Sequence, residues 1–288
     1  MAKKMFLLKM VVMILTFGMV VVGCDTESSS SGSSNDPIQV NLNLPAIQEV
    51  AAFEGTFVSS ETEAGPMVGD AMNAISGVMG GVTSSSSSVM YSLNATTPMS
   101  IGRSVQEQPF SEVYDHNTKL FPGGEVTGFV EGYQKMSAAN DNNPGGSVGD
   151  YQEMSIRAKF QVDIKNVIQS NITLKGKYIF DENVYLKMQI TSVSPSKGSI
   201  AVKMDVTDGY ALSVSKGGKG LKFVMNLSSK GDKTFSDISA NNVNLSSYLT
   251  QALDTYNLTI VIYDNNNDEK WRKTFTTYAE AAAYLGIK

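Results

Sequence analysis

Apolar and polar residues alternate strictly through the middle of this chain. Between Tyr151 and Ile164, Met154, Ile156, Ala158, Phe160, Val162 and Ile164 take turns with Glu153, Ser155, Arg157, Lys159, Gln161 and Asp163. That period belongs to a strand with one face buried and the other in water. A similar run, Glu125 to Met136, precedes it across the Asn/Gly/Pro-rich stretch Asn140 to Gly149. The alternation returns in Ile172, Leu174, Tyr178 and Phe180, then in Val184, Leu186, Met188 and Ile190. It continues through Ile200 to Val206, Tyr210 to Val214, and Leu221 to Leu227. Asp181-Glu182-Asn183, Ser196-Lys197-Gly198, Asp208-Gly209 and Lys216 to Gly220 separate these runs, and such residues are hairpin signals. The pattern therefore predicts seven strands in an antiparallel meander.

Helical spacing flanks the meander. Met67, Val68, Ala71, Met72, Ile75, Val78 and Met79 form an apolar stripe after Pro66, the signature of an amphipathic helix. Gly69 and Gly77 weaken that helix by about 1 kcal/mol each, so it relies on packing; a mobile lid is the rarer alternative. Leu245, Tyr248, Leu249, Ala252, Leu253 and Tyr256 make a second stripe, with Asn244 placed to cap it. Asn257–Tyr263 and Lys270–Phe275 read as a last hairpin. Thr277 and Glu280 form a capping box for a short helix ending at Gly286. Nearer the N-terminus, Ile38 to Leu44 alternates as a short strand, and Pro45 can open a short helix through Phe53. Gly80 to Ser88 is low-complexity loop, with some strand expected near Val89 to Leu93 and irregular cover up to Gly124.

Seven strands side by side span about 34 Å, whereas two helices cover only about 20 Å. An apolar face of that size does not stay bare, so the sheet is expected to curl. The predicted fold is mainly β (β-rich α+β): an antiparallel meander curled into a barrel or half-barrel with two or three packed helices.

The start of the chain has a different pattern. Lys3, Lys4 and Lys9 precede the uncharged run Met10 to Val22, which ends in Gly23-Cys24. As a helix this run is about 20 Å long, short of the ~30 Å hydrocarbon core, and its layout is that of an export signal. It resembles the lipobox of bacterial lipoprotein precursors, over the first 24 residues only. The resemblance implies a diacylglycerol thioether on Cys24, cleavage before it and, in many bacteria, acylation of the new amine. Cys24 is the only cysteine, so an exported chain has no disulfide partner for it. Asp25 to Asp36 (DTESSSSGSSND) reads as a flexible tether of about 20 Å. The expected organisation is a signal peptide at 1–23, a lipidated cysteine and tether at 24–36, and one β-rich domain at 37–288. Within that domain, irregular and helical cover spans 37–123, the meander 124–240, and a helix, hairpin and C-terminal helix 241–288. The expected address is the cell envelope, at an outer membrane or cell surface ahead of the inner membrane.

Charge narrows the partners. The whole chain carries −5, and loss of three signal lysines leaves −8. An acidic chain with scattered lysines argues against nucleic acid and against general adhesion to anionic membranes. The expected partners are a membrane, through the lipid anchor, and an apolar ligand or lipid; protein partners are left open.

Candidate chemistry is sparse. Gly145-Gly146-Ser147-Val148-Gly149 matches G-x-S-x-G by letter but lacks the strand-to-helix setting and partner histidine of a nucleophile elbow. His116 is the only histidine, so neither a triad nor a zinc or copper site is expected. Asp264, Asn266 and Asp268 start like a calcium loop, but Glu269 and Phe275 stand where that loop needs Gly and Glu. Lys216 to Gly220 lacks the spacing of a phosphate cradle. No acidic pair stands out for glycoside hydrolysis. No catalytic, cofactor or metal residue is assigned, and an enzyme is not expected. Met154, Met188, Met204 and Met225 fall on inward faces, and methionine suits surfaces that meet varied apolar partners. The layout is similar to half-barrel lipid carriers of the envelope, in architecture alone. A structural or protein-interaction lipoprotein with a solid core is the alternative, and a hydrolase the third reading.

Overall fold

A computed structural model describes residues 38–83, 104–119, 121, 123–138, 147–169, 171–239 and 245–287. The signal region, Cys24, the tether, the 84–88 stretch, the strand expected at Val89–Leu93, most of the 140–149 loop and Asn244 lie outside them. Among the described residues no helix is long and apolar enough to cross a membrane.

Among the described residues nine strands form one sheet that is not closed: β1 (Thr56–Phe57), β2 (Ser104–Asn117), β3 (Gly124–Ala138), β4 (Tyr151–Gln169), β5 (Ile172–Val193), β6 (Ser196–Lys216), β7 (Lys219–Ser239), β8 (Thr255–Tyr263) and β9 (Glu269–Phe275). Strands β2 to β9 follow one another in chain order and pair antiparallel, while β1 lies parallel to the start of β7. Among the described residues α1 (Glu61–Thr83), α2 (Leu245–Ala252) and α3 (Tyr278–Tyr284) pack against it. The β-rich curled sheet with helices is thus as the alternation predicts.

The strand count differs. Asp181–Asn183 and Asp208–Gly209 are not turns but the middles of β5 and β6, which run 22 and 21 residues. The seven expected strands are therefore five long ones. Alternation keeps its phase across both sites, and each strand pairs continuously with a long neighbour on either side. Ladder and packing override the local turn preference. The actual reversals are Ser194-Pro195, in place of Ser196–Gly198, and Gly217-Gly218, whose φ values of 58° and 75° fit a two-residue hairpin. A 22-residue strand reaches about 70 Å when straight, and the apolar face of these long strands is covered by helices.

Other boundaries move as well. Residues 104–117, expected as irregular cover, form β2. Residues 38–46 form no strand, and the helix expected at 45–53 is only a 3₁₀ turn at Ile47–Glu49. Helix α2 ends at Ala252, and Tyr256 belongs to β8. Helix α3 opens as expected: Thr277 Oγ1 accepts from the Glu280 amide and donates to Glu280 Oε2 at 2.9 Å.

The core lies between the inner face of the sheet and the helices. Met67, Val68, Ala71, Met72 and Ile75 of α1 join Phe160, Leu174, Leu212, Phe223 and Leu258 in one buried cluster. Gly65 and Gly69 explain how α1 meets α3: a Cβ at either would collide with the Tyr284 or Leu285 carbonyl oxygen. These glycines permit close backbone approach, so Gly69 pins α1 rather than freeing it as a lid.

The outer face is built differently. Opposite-charge pairs stand directly across neighbouring strands, among them Glu107–Lys135, Glu131–Arg157, Lys159–Asp181, Asp163–Lys177, Glu153–Lys187, Lys203–Asp232 and Asp205–Lys230. Each contributes little alone, but together they favour one register. The segment from Leu44 to Val50 crosses this face as a strap, with Leu44, Ile47 and Val50 packed on Ala211, Val224 and Tyr263. Phe53 closes the strap, its amide and carbonyl each 3.1 Å from the Asn265 side chain.

Candidate functional site

The inner face of the sheet is a lattice read row by row across the strands. One row is Val130, Ala158, Glu182, Val206, Ser229 and Tyr256; the next is Gly128, Phe160, Phe180, Asp208, Leu227 and Leu258. A third is Val126, Val162, Tyr178, Tyr210, Met225 and Ile260. Two carboxylates thus sit diagonally on β5 and β6 within an otherwise apolar and aromatic field.

Glu182 is 2% exposed and Asp208 1%. Glu182 Oε2 and both carboxyl oxygens of Asp208 have no hydrogen-bond donor among the described residues. Burial pushes the Glu182 pKa well above the carboxylate range, and the neighbouring Asp208 charge adds to that. Burial raises Asp208 to about 8. Two carboxyls buried side by side disfavour a double negative charge, so the pair retains protons. Tyr178 and Tyr210 stack beside the pair, with ring centroids 4.3 Å apart, and burial raises both phenols well above their usual value.

The hairpin rule assigned Glu182 and Asp208 to turns and so hid this pair. The legible signal was phase: 178, 180, 182, 184 and 206, 208, 210 share one parity, which puts both acids on the apolar side.

Towards one end the inner face is less covered. Met136, Met154, Met188 and Ile190 are half-buried, and Met154 and Met188 lean on the core. They adjoin across the ladder through Gln152 and Leu186. The other inward methionines, Met204 and Met225, are buried. A groove of about 290 Å³ also opens between α2 and α3, over Gln251, Ala279, Ala282, Ala283 and Ile287.

The letter motifs meet structural ends. His116 is exposed and pairs with Glu125, which also meets Lys165; Glu125 raises the imidazole pKa by hydrogen bonding and charge. Ser147 lies at the opposite end of the strands. Glu125 is opposite Asp163 while Ser137 is opposite Tyr151, about 40 Å apart along β4 at ~3.3 Å per residue. The Ser147 amide donates to Asp150 Oδ2 at 3.0 Å, a turn contact. Asp264 accepts from the amides of Asn266 and Asp268 at 2.8 and 3.0 Å and meets Lys270 Nζ at 2.8 Å, which makes this loop an internally capped turn. Lys216 and Lys219 hold Asp70 and Glu63 of α1, so the glycine turn between them tethers a helix. Among the described residues no group of three potential metal ligands forms.

Comparison with protein-family models, with curated proteins and with solved structures finds no match.

Proposed function

We propose that this chain is a lipid-anchored protein of the bacterial cell envelope, tethered through Cys24, that holds an apolar ligand, a lipid chain, against the methionine-lined end of its inner face. The anchoring half of this reading rests on the charged start, the short apolar run and Gly23-Cys24. The binding half is carried by one observation: Met136, Met154, Met188 and Ile190 stay half-buried on a face whose other rows are sealed. Apolar area left in water forgoes about 25 cal/mol per Å², and a ligand chain would recover it. Methionine adapts to chains of varied shape. The space is not under α1, because Met67 and Met72 are packed there, 8% and 3% exposed. Binding is the reading preferred over catalysis, since the Glu182 and Asp208 carboxyls are buried away from solvent.

Two measurements test this. Labelled palmitate should enter the wild-type chain and not Cys24→Ala, which should accumulate at precursor mass; labelling of the variant overturns the anchor. Native mass spectrometry of the purified protein should show a bound species of several hundred daltons that Met188→Glu loses without loss of its far-UV spectrum. A clean unliganded mass, with no thermal protection from fatty acids or phospholipids, would favour an interaction protein with a solid core.

A further inference from the structure

Glu182 and Asp208 are the least expected groups in the molecule, because a core of this kind has no use for two acids. Each is almost wholly buried, and among the described residues three of their oxygens lack a donor. The strands beside them offer no cation. β4 presents Ala158 and Phe160, and β7 presents Leu227 and Ser229. The titratable neighbours are Tyr178 on β5, Tyr210 on β6 and Tyr256 on β8, with Asp181 adding negative charge at Glu182. Helix α2 has no charged residue. The α1 acids Glu61, Glu63 and Asp70 are paired with Lys273, Lys219 and Lys216. Tyr256 Oη, also buried and without a hydrogen-bond partner among the described residues, brings a hydroxyl and no charge.

An isolated carboxylate in such surroundings costs far more than a neutral acid, and two side by side repel. We propose that Glu182 and Asp208 form an internal proton-binding site that keeps the middle of the sheet closed while it holds its protons and opens the core around β5 and β6 when they leave. The chemistry is balanced by solvent: each proton passes to water or hydroxide, and the pair's charge goes from zero to −1 and then to −2. Only hydration accommodates the doubly charged state, so water must enter between the inner face and what covers it. The site stands on strand register and burial, independently of the lipid anchor and of any apolar ligand.

Hydrogen exchange tests it on the full-length protein. Opening at the amides of Glu182, Asn183, Val206 and Thr207, corrected for intrinsic base catalysis, should rise about tenfold or more per pH unit between pH 6 and 9. The same amides in the double variant Glu182→Gln/Asp208→Asn should show no such rise, and each single variant a smaller one. A protonated-carboxyl infrared band should be present in the wild type at pH 7 and absent from the double variant. If a variant does not fold, the wild-type band stands as the test by itself. The proposal is overturned if that band is missing at pH 7, or if the double variant keeps the pH-dependent opening. It is also overturned if sodium, potassium or calcium at constant ionic strength suppresses the opening, which would make the pair a cation site.

Discussion

Glu182 and Asp208 meet on a diagonal: Glu182 is opposite Val206 and Asp208 opposite Phe180, so both carboxyls enter one buried patch. An acid with a higher pKa in the folded than in the unfolded chain binds more protons when folded. Its stabilisation is complete below the unfolded value, near ~4, and is lost as pH rises through the folded value, about 8 for Asp208. Glu63, Glu125, Asp264 and Glu269 act in the opposite sense, because hydrogen bonds to cationic partners hold them below their usual range. They stabilise above the unfolded value and cease to do so in acid. Thermal stability should therefore peak at about pH 5 and decline towards pH 9. A melting-temperature maximum at pH 8 would refute this.

Gly69→Ala should destabilise the protein by about 1–3 kcal/mol, the usual cost of overpacking. Helix propensity alone predicts the reverse, a gain of about 1 kcal/mol. The new Cβ would strike the Leu285 carbonyl oxygen, which is backbone and cannot turn aside. Urea unfolding decides between the two signs.

The outer strap should detach separately from the sheet. Ile47 is 9% exposed and Val50 3%, and they rest on Ala211 in a cluster of their own. Ile47→Asp should make residues 38–53 sensitive to limited proteolysis and leave the β4–β8 fragment resistant. Global unfolding of that variant would show that the strap is integral to the core.

The outer ion pairs should act on register more than on stability. Asp205 and Lys230 are opposite and 3.5 Å apart, each more than half exposed. Asp205→Lys should cost under about 1 kcal/mol, and Lys230→Asp added to it should restore most of that. A double variant no more stable than the sum of the singles would mean that the pair contributes nothing.

Alternation by itself determined the strand faces. Ile156, Phe160, Val162 and Leu174 are inward because every second residue must share a side, and no long-range knowledge is needed for that. Helical spacing likewise placed Met67, Met72 and Ile75 against the core, and the Thr277–Glu280 box marked the start of α3. These signals are local, and local geometry satisfies them. Strand length was not local: Asp208-Gly209 is a good turn in isolation, and only pairing with β5 and β7 on both sides keeps it extended. The same pairing gave Gly209 its use, since a Cβ there would press on Ile179 and Leu44 at 3.0 Å. Gly69 could be read as a weak point in a helix until α3 was seen against it. The acidic pair needed most from tertiary structure. Residues 182 and 208 are far apart in sequence, and neither signals the other. Register across β5–β6 joins them, and burial by the rest of the chain turns two ordinary acids into a proton-holding pair.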